Sequence, residues 1–221
     1  MKLSGKIQAI AGSQTVAFTT LIQQLRQEGR KIIDLAVGEP QFDTPAPVID
    51  ATKNALDAQK TRYSPVNGIS ELRAQLAIRF SGYDTKNILL TNGSKQALYM
   101  IFQIICDPSD EVIIPTPFWV SFIEQVKLAG GKPVPVATKD HQLNCEAIER
   151  AVTPRTKAIL INSPNNPSGA VYPMADLQKI ARLAEDHNLF IISDEAYNTF
   201  IYDGNVHTSM FDIEHLPEPS L

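Results

Sequence analysis

An apolar run, Leu189 to Ile192, ends abruptly on two carboxylates, Asp194 and Glu195, in the stretch "LFIISDEAYNTFIYDG". Such a run is read as a strand buried on both faces. Acid at its end needs a partner, because a buried carboxylate is stabilised only by an opposite charge or by hydrogen-bond donors. Three further strand-like runs also end on residues that could do chemistry. "NILLTNGS" leads into Asn92, Gly93, Ser94 and Lys95 at the opening of a helix-like segment, where main-chain N–H groups could hold an anion. "DEVIIPTP" leads to Phe118 and Trp119, an aromatic plate. "KAILINSPNNPSG" leads to the amides of the loop from Asn162 to Pro167, Asn166 among them, and Tyr197 adds a phenol close after Asp194.

The elements that must position these groups alternate along the chain. From residue 86 onward strand-like and helix-like segments follow one another, which predicts an α/β fold with a mostly parallel sheet. "KQALYMIFQIIC" places Ala97, Leu98, Ile101, Phe102 and Ile105 on one helical face. "DEVIIPTP" is read as a strand stopped by Pro115 and Pro117, followed by a helix to about Ala129, a stop at Gly130 and Gly131, and a strand at "KPVPVA". Pro173 suits the start of the helix that leads into "LFIIS". Upstream, a helix over "VAFTTLIQQLRQEG", a short strand "KIIDLAV" and a Pro-rich loop "GEPQFDTP" mark a different region and a boundary.

In open parallel sheets ligands bind beyond the carboxyl ends of the strands, so these groups would share one crevice. Each has an ordinary structural explanation by itself: Gly93 and Ser94 as a helix start, Trp119 as packing, "SPNNPSG" as a turn, Asp194 as a cap or ion-pair member. Taken together they describe a ligand. It carries a phosphate for Ser94 and Lys95, a flat ring for Trp119, an oxygen for Asn166 and Tyr197, and a cationic ring nitrogen for Asp194. Pyridoxal phosphate has all of these. An aspartate facing its ring nitrogen would favour the protonated ring, the electron sink of this cofactor.

Composition narrows the alternatives. The 221 residues are 43% hydrophobic and 20% charged, with a net charge of -4 from 20 basic and 24 acidic side chains. That is an ordinary globular balance with no basic stripe, so nucleic acid is not an expected partner. No stretch has membrane-spanning length, and the N-terminus lacks the continuous apolar core of a secretory signal. Cys106 and Cys145 sit in no C-x-x-C pair, which suggests reduced thiols and a cytoplasmic protein, and four scattered His do not suggest a metal site. No G-x-G-x-x-G or G-x-x-x-x-G-K-[ST] is present, which argues against a nucleotide-binding domain.

"DLAVGEPQFDTP", "YSPVNGISELR", "TNGSKQAL", "PFWVSF", "NSPNNPSGAVYP" and "SDEAY" stand in the order and spacing of the class I/II aminotransferases of the aspartate aminotransferase fold, which this sequence resembles over nearly its whole length. The resemblance implies a three-layer α/β/α large domain over residues 46–221, incomplete at its C-terminus, after an N-terminal arm and part of a small domain over residues 1–45. It implies a pyridoxal-phosphate enzyme acting on an aspartate-like or related amino acid and a 2-oxo acid. It also implies roles. Gly38 would donate its backbone N–H near the substrate carboxylate, and Ser94 and Lys95 would cradle the phosphate through main-chain N–H groups, with the Lys95 side chain directed away. Trp119 would stack on the ring and, like Asn166, line the substrate site. Asn166 and Tyr197 would bond the ring's phenolic oxygen, and Asp194 would pair with the ring nitrogen, Asp194 and Tyr197 acting in catalysis. Tyr63 is similar to a tyrosine that reaches the phosphate of a neighbouring subunit, which implies a homodimer. The family's Schiff-base lysine lies beyond the "SDEAY" motif, and residues 198–221 contain no Lys or Arg. The expectation is an N-terminal fragment without activity of its own. Lyases and synthases of the same fold, and a non-catalytic remnant, are the competing readings.

Overall fold

The computed structural model of the chain describes residues 3–8, 10, 12, 14–34, 38, 42–80 and 82–213. The helices are α1 (Gly5–Gln8), α2 (Gln14–Gln27), α3 (Ala46–Asp57), α4 (Ser70–Ala77), α5 (Ser94–Ile105), α6 (Ser121–Ala129), α7 (Cys145–Ala151) and α8 (Met174–His187). The strands are β1 (Glu111–Thr116), β2 (Lys132–Ala137), β3 (Thr156–Asn162) and β4 (Phe190–Asp194). All pairings in the four-stranded sheet, ordered β2-β1-β3-β4, are parallel.

Strand alternation builds a core on each face of the sheet. Ile113, Ile159, Ile161 and Ile191 pack with Ile148 of α7 and with Leu177, Ile180 and Ala184 of α8. Their sequence neighbours Val112, Ile114, Ala158, Leu160 and Ile192 pack with Leu98, Phe102 and Ile105 of α5 and Phe122 and Val126 of α6. The result is the expected three-layer α/β/α arrangement, with every strand's carboxyl end at one edge of the sheet. At the C-cap of α6, Gly130 takes φ +94°, and a Cβ on Gly131 would stand 3.0 Å from Val126 Cγ1 and 3.2 Å from the Asp110 carbonyl. The glycine pair thus does stop α6 and turn the chain into β2.

Several local expectations need correction. Ile88 to Leu90 form no strand: among the described residues no neighbour completes a ladder, and Leu89 is exposed. Pro115 lies inside β1. The ladder to β3 ends at Ile113↔Ile159, so Pro115 pairs only with Val136 of β2, and its missing N–H breaks no bond on the β3 side. Helices α3, α4 and α7 were not anticipated. Of the strand expected over 31–37, residues 31–34 are irregular and 35–37 lie outside the described residues.

The described residues of 1–10 and 70–221 form one compact unit and those of 11–69 another. The sheet belongs to the first. The second carries α2 and α3, and α3 has no buried residue; the Pro-rich loop near residue 45 lies inside it.

At the amino ends of the strands, Glu111 is buried and accepts from Thr153 Oγ1 (2.6 Å), Lys132 Nζ (3.0 Å) and Arg155 Nη2 (3.2 Å). The Thr153 hydroxyl, then the Lys132 ammonium and Arg155, bring its carboxyl down from 4.5 to about 2. A depressed acid stabilises the fold above its unfolded pKa and loses that contribution as pH falls. Glu111→Gln is therefore expected to cost about 1–3 kcal/mol at neutral pH, and the gap to the parent should close as pH falls from 4.5 towards 2. Urea denaturation of both chains across that range is the check, and a gap constant with pH would contradict the assignment.

Candidate active site

The first component is the start of α5. Gly93 caps it at φ +75°, a conformation that β-carbon residues rarely adopt, although the space around it is open. The Asn92 N–H donates to Gln96 Oε1 (2.7 Å) and Thr91 Oγ1 donates to the Gly93 carbonyl (3.0 Å). The N–H groups of Ser94 and Lys95 have no acceptor among the described residues. Two donors without a partner among the described residues, in the first turn of a twelve-residue helix, leave this turn able to accept an anion. Gln125 Nε2 of α6 donates to the Lys95 carbonyl (2.9 Å) and ties this turn to the segment following Trp119.

Trp119 leans edge-to-face on Phe122, with centroids 5.4 Å apart. The Lys95 ammonium lies 4.9 Å from the Trp119 ring centroid. The Lys95 side chain is thus not directed away: its flexible stem lets the cation settle against the indole, whose negative face attracts it.

The second component joins the ends of β3 and β4, where Asn162 and Asp194 stand opposite in register. The SPNNP loop returns over this edge. Its Asn166 Nδ2 donates to Tyr197 Oη at 3.5 Å, so an amide from one loop and a phenol from the next meet. Asn165 Nδ2 donates to the Pro117 carbonyl (3.2 Å), linking this loop to the one that carries Trp119. The peptide bonds before Pro117, Pro164 and Pro167 are cis.

Asp194 is buried. Ala196 N–H donates to its Oδ1 (3.1 Å), and Oδ2 has no partner among the described residues. Burial pushes its carboxyl above 3.8, the Ala196 N–H pulls it down, and the neighbouring Glu195 charge adds to the rise. This acid is short of a cation. Glu195, the second carboxylate of the opening run, is instead well supplied with donors: it accepts from Ser193 Oγ (2.8 Å), Met210 N (2.9 Å), Ser209 Oγ (3.1 Å) and His207 Nε2 (3.2 Å). It pins residues 207–210 to the end of β4.

Of the residues singled out in the sequence, Ser94, Lys95, Trp119, Asn166, Asp194 and Tyr197 lie in the unit that holds the sheet. Gly38 and Tyr63 belong to the other unit, where both are exposed. The inter-loop bonds of Asn162, Asn165 and Gln125 were not anticipated. Asn162 gave the same signal as Asp194, a polar residue closing an apolar run. Among the described residues no three His, Cys, Asp or Glu side chains are placed to hold a metal, and no helix is long and apolar enough to cross a membrane.

Helix N–H donors without an acceptor and a buried acid without a cation among the described residues, an indole, and a paired amide and phenol thus lie in the unit that holds the sheet. The family model for aminotransferases of class I and II matches residues 30–218. The chain belongs to this family. It is 41% identical over 218 residues to the aspartate aminotransferase of Bacillus subtilis, covering 95% of this chain and 56% of that protein. It is 45% identical over 210 residues to the aspartate/prephenate aminotransferase of Thermus thermophilus, covering 91% of this chain and 54% of that one. The solved structure of the Thermus thermophilus aspartate aminotransferase with maleate superposes with a TM-score of 0.92 at 43% identity, over 98% of this chain and 59% of that chain. The chain thus spans about half the length of the curated relatives it matches.

Proposed function

We propose that the chain holds pyridoxal phosphate at the strand-end crevice and serves an aminotransferase that moves an amino group between an aspartate-like α-amino acid and a 2-oxo acid. The observation that carries this reading is Asp194, a buried acid with no cation among the described residues, at the carboxyl end of β4. When bound, the cofactor supplies the electron sink that makes a proton on the amino acid's Cα removable.

The chain's own residues grip and tune it. Ser94 and Lys95 donate main-chain N–H groups to the phosphate, and Trp119 offers its face to the ring once the Lys95 ammonium moves aside. Asn166 and Tyr197 donate to the ring's phenolic oxygen, favouring its ionised form. Asp194 keeps a proton on the ring nitrogen. The substrate class rests on the relatives, two named for aspartate and one solved with maleate, itself a dicarboxylate.

The expected assembly is a cytoplasmic homodimer in which Tyr63, exposed in its own unit, reaches the partner's phosphate. Sedimentation as monomer alone at assay concentration would count against the shared site. The 221-residue chain alone is expected to bind the cofactor without turnover. The reaction itself is tested by incubating a longer version, one that carries the family's Schiff-base lysine, with pyridoxal phosphate, L-aspartate and 2-oxoglutarate. Formation of glutamate and oxaloacetate in equal amounts is expected. Cofactor-loaded protein that releases ammonia or carbon dioxide instead would establish a lyase, and no exchange at all would overturn the reading.

A further inference from the structure

The loop that carries Asn166 is closed on itself: Asn165 N–H donates to the Ala170 carbonyl (2.9 Å), Gly169 N–H to the Asn165 carbonyl (2.8 Å), and Ser168 N–H and Oγ to Asn165 Oδ1. What remains to be set is how this closed loop sits on the sheet. One buried side chain sets it. Asn162 Oδ1 accepts the Asn166 N–H (2.8 Å), while its Nδ2 donates to the Asp194 carbonyl (2.9 Å) and to the Pro164 carbonyl (3.3 Å). Its full amide is thus spent between the residue expected at the ring's phenolic oxygen and the residue expected at the ring's nitrogen. Asn162 is 5% exposed, so no water replaces those bonds without opening the loop.

We infer that Asn162 is a positioning residue that fixes the spacing between Asn166 and Asp194, and so the pose of the cofactor ring, an inference that rests on the proposed site. The bonds require an amide. Alanine leaves the Asn166 N–H without an acceptor. Aspartate can still accept it but can donate to neither carbonyl, and directs negative charge at both. Backbone pairing supplies only part of the constraint, because Ser163 N–H also reaches the Asp194 carbonyl (3.2 Å) but touches nothing on Asn166.

The test compares the parent with Asn162→Ala, Asn162→Asp and Ile159→Val, the last a buried change on the same strand that lowers stability without meeting the site. Three measurements are made on each chain. Amide hydrogen exchange at Asn166 is expected to quicken in Asn162→Ala and to stay slow in Asn162→Asp and Ile159→Val. The dissociation constant for pyridoxal phosphate, followed by the emission of Trp119, the chain's single tryptophan, is expected to rise about tenfold or more in both Asn162 variants. Competition by inorganic phosphate alone, which needs only the start of α5, should be unchanged in all of them.

Unchanged Asn166 exchange in Asn162→Ala would overturn the inference, as would cofactor affinity within about twofold of the parent in both Asn162 variants. An equal loss in Ile159→Val would reduce Asn162 to a stability residue and overturn it too. If Asn162→Ala does not fold, Asn162→Asp decides through affinity. If the parent shows no saturable binding, the proposed site itself fails, and the ring-posing role fails with it.

Discussion

Asp194→Asn is expected, in a version of the protein that carries the Schiff-base lysine, to slow amino transfer by about 10²–10³-fold, the loss typical of one preorganised electrostatic group, and to raise the denaturation midpoint of the cofactor-free protein at neutral pH. The two effects have one cause. Burial pushes the Asp194 carboxyl above 3.8, so the folded state favours the protonated acid, and the fold loses stability as pH rises from 3.8 through the raised value. Asparagine accepts the Ala196 N–H as the carboxylate does, without the charge. The stability gain should therefore be present at neutral pH and vanish in acid. Turnover falls because an amide cannot hold a proton on the ring nitrogen. Thermal melts from acid to neutral pH, paired with kcat/KM, check both halves. Turnover near that of the parent would make Asp194 structural, and a lowered midpoint at neutral pH would show that the carboxylate already has a favourable partner. Sites that gain function at a cost in stability follow this pattern.

Phe102→Ala is expected to cost about 3–5 kcal/mol, the range for truncating a fully buried aromatic, whereas Ile104→Ala on the same helix should cost no more than about 0.5 kcal/mol. The contrast follows from the face each residue occupies. Phe102 has no exposed surface and packs with Leu98, Ile105, Phe122, Val126 and the β1 residues Val112 and Ile114, while Ile104 is 78% exposed. Phe102 also holds α5 on the sheet, and α5 presents the free N–H groups of Ser94 and Lys95. Phe102→Ala should therefore weaken inorganic phosphate binding as well, while Ile104→Ala leaves it intact. Urea denaturation measures the first effect. A loss below about 1 kcal/mol would mean the layer between α5 and the sheet repacks without a cavity.

Apolar pattern was enough to read β1, β3, β4, α5, α6 and α8, because each buries a continuous run or a full helical face that no other structure accommodates. It misled at residues 88–90, where strand propensity is present but a pairing neighbour is not, and a strand exists only as part of a ladder. Helix α7 escaped notice because seven residues give under two turns of periodicity. At the site, residue types at strand ends carried most of the reading. They could not separate Asp194 from Glu195, since both close the same run. Only the folded positions of Ser209, Met210 and His207 show that Glu195 is satisfied and Asp194 is not. Nor could spacing place the Lys95 ammonium over Trp119, because a four-carbon stem reaches several partners from one backbone position.

The central claim is that this crevice binds pyridoxal phosphate with Trp119 against the ring. The direct measurement is a titration of the protein with pyridoxal phosphate while Trp119 emission is recorded, repeated with Asp194→Ala. Quenching that saturates at one cofactor per chain, with affinity weakened by Asp194→Ala, is the predicted result. Emission that falls in proportion to added cofactor without saturating, or that saturates identically in both proteins, would contradict the account.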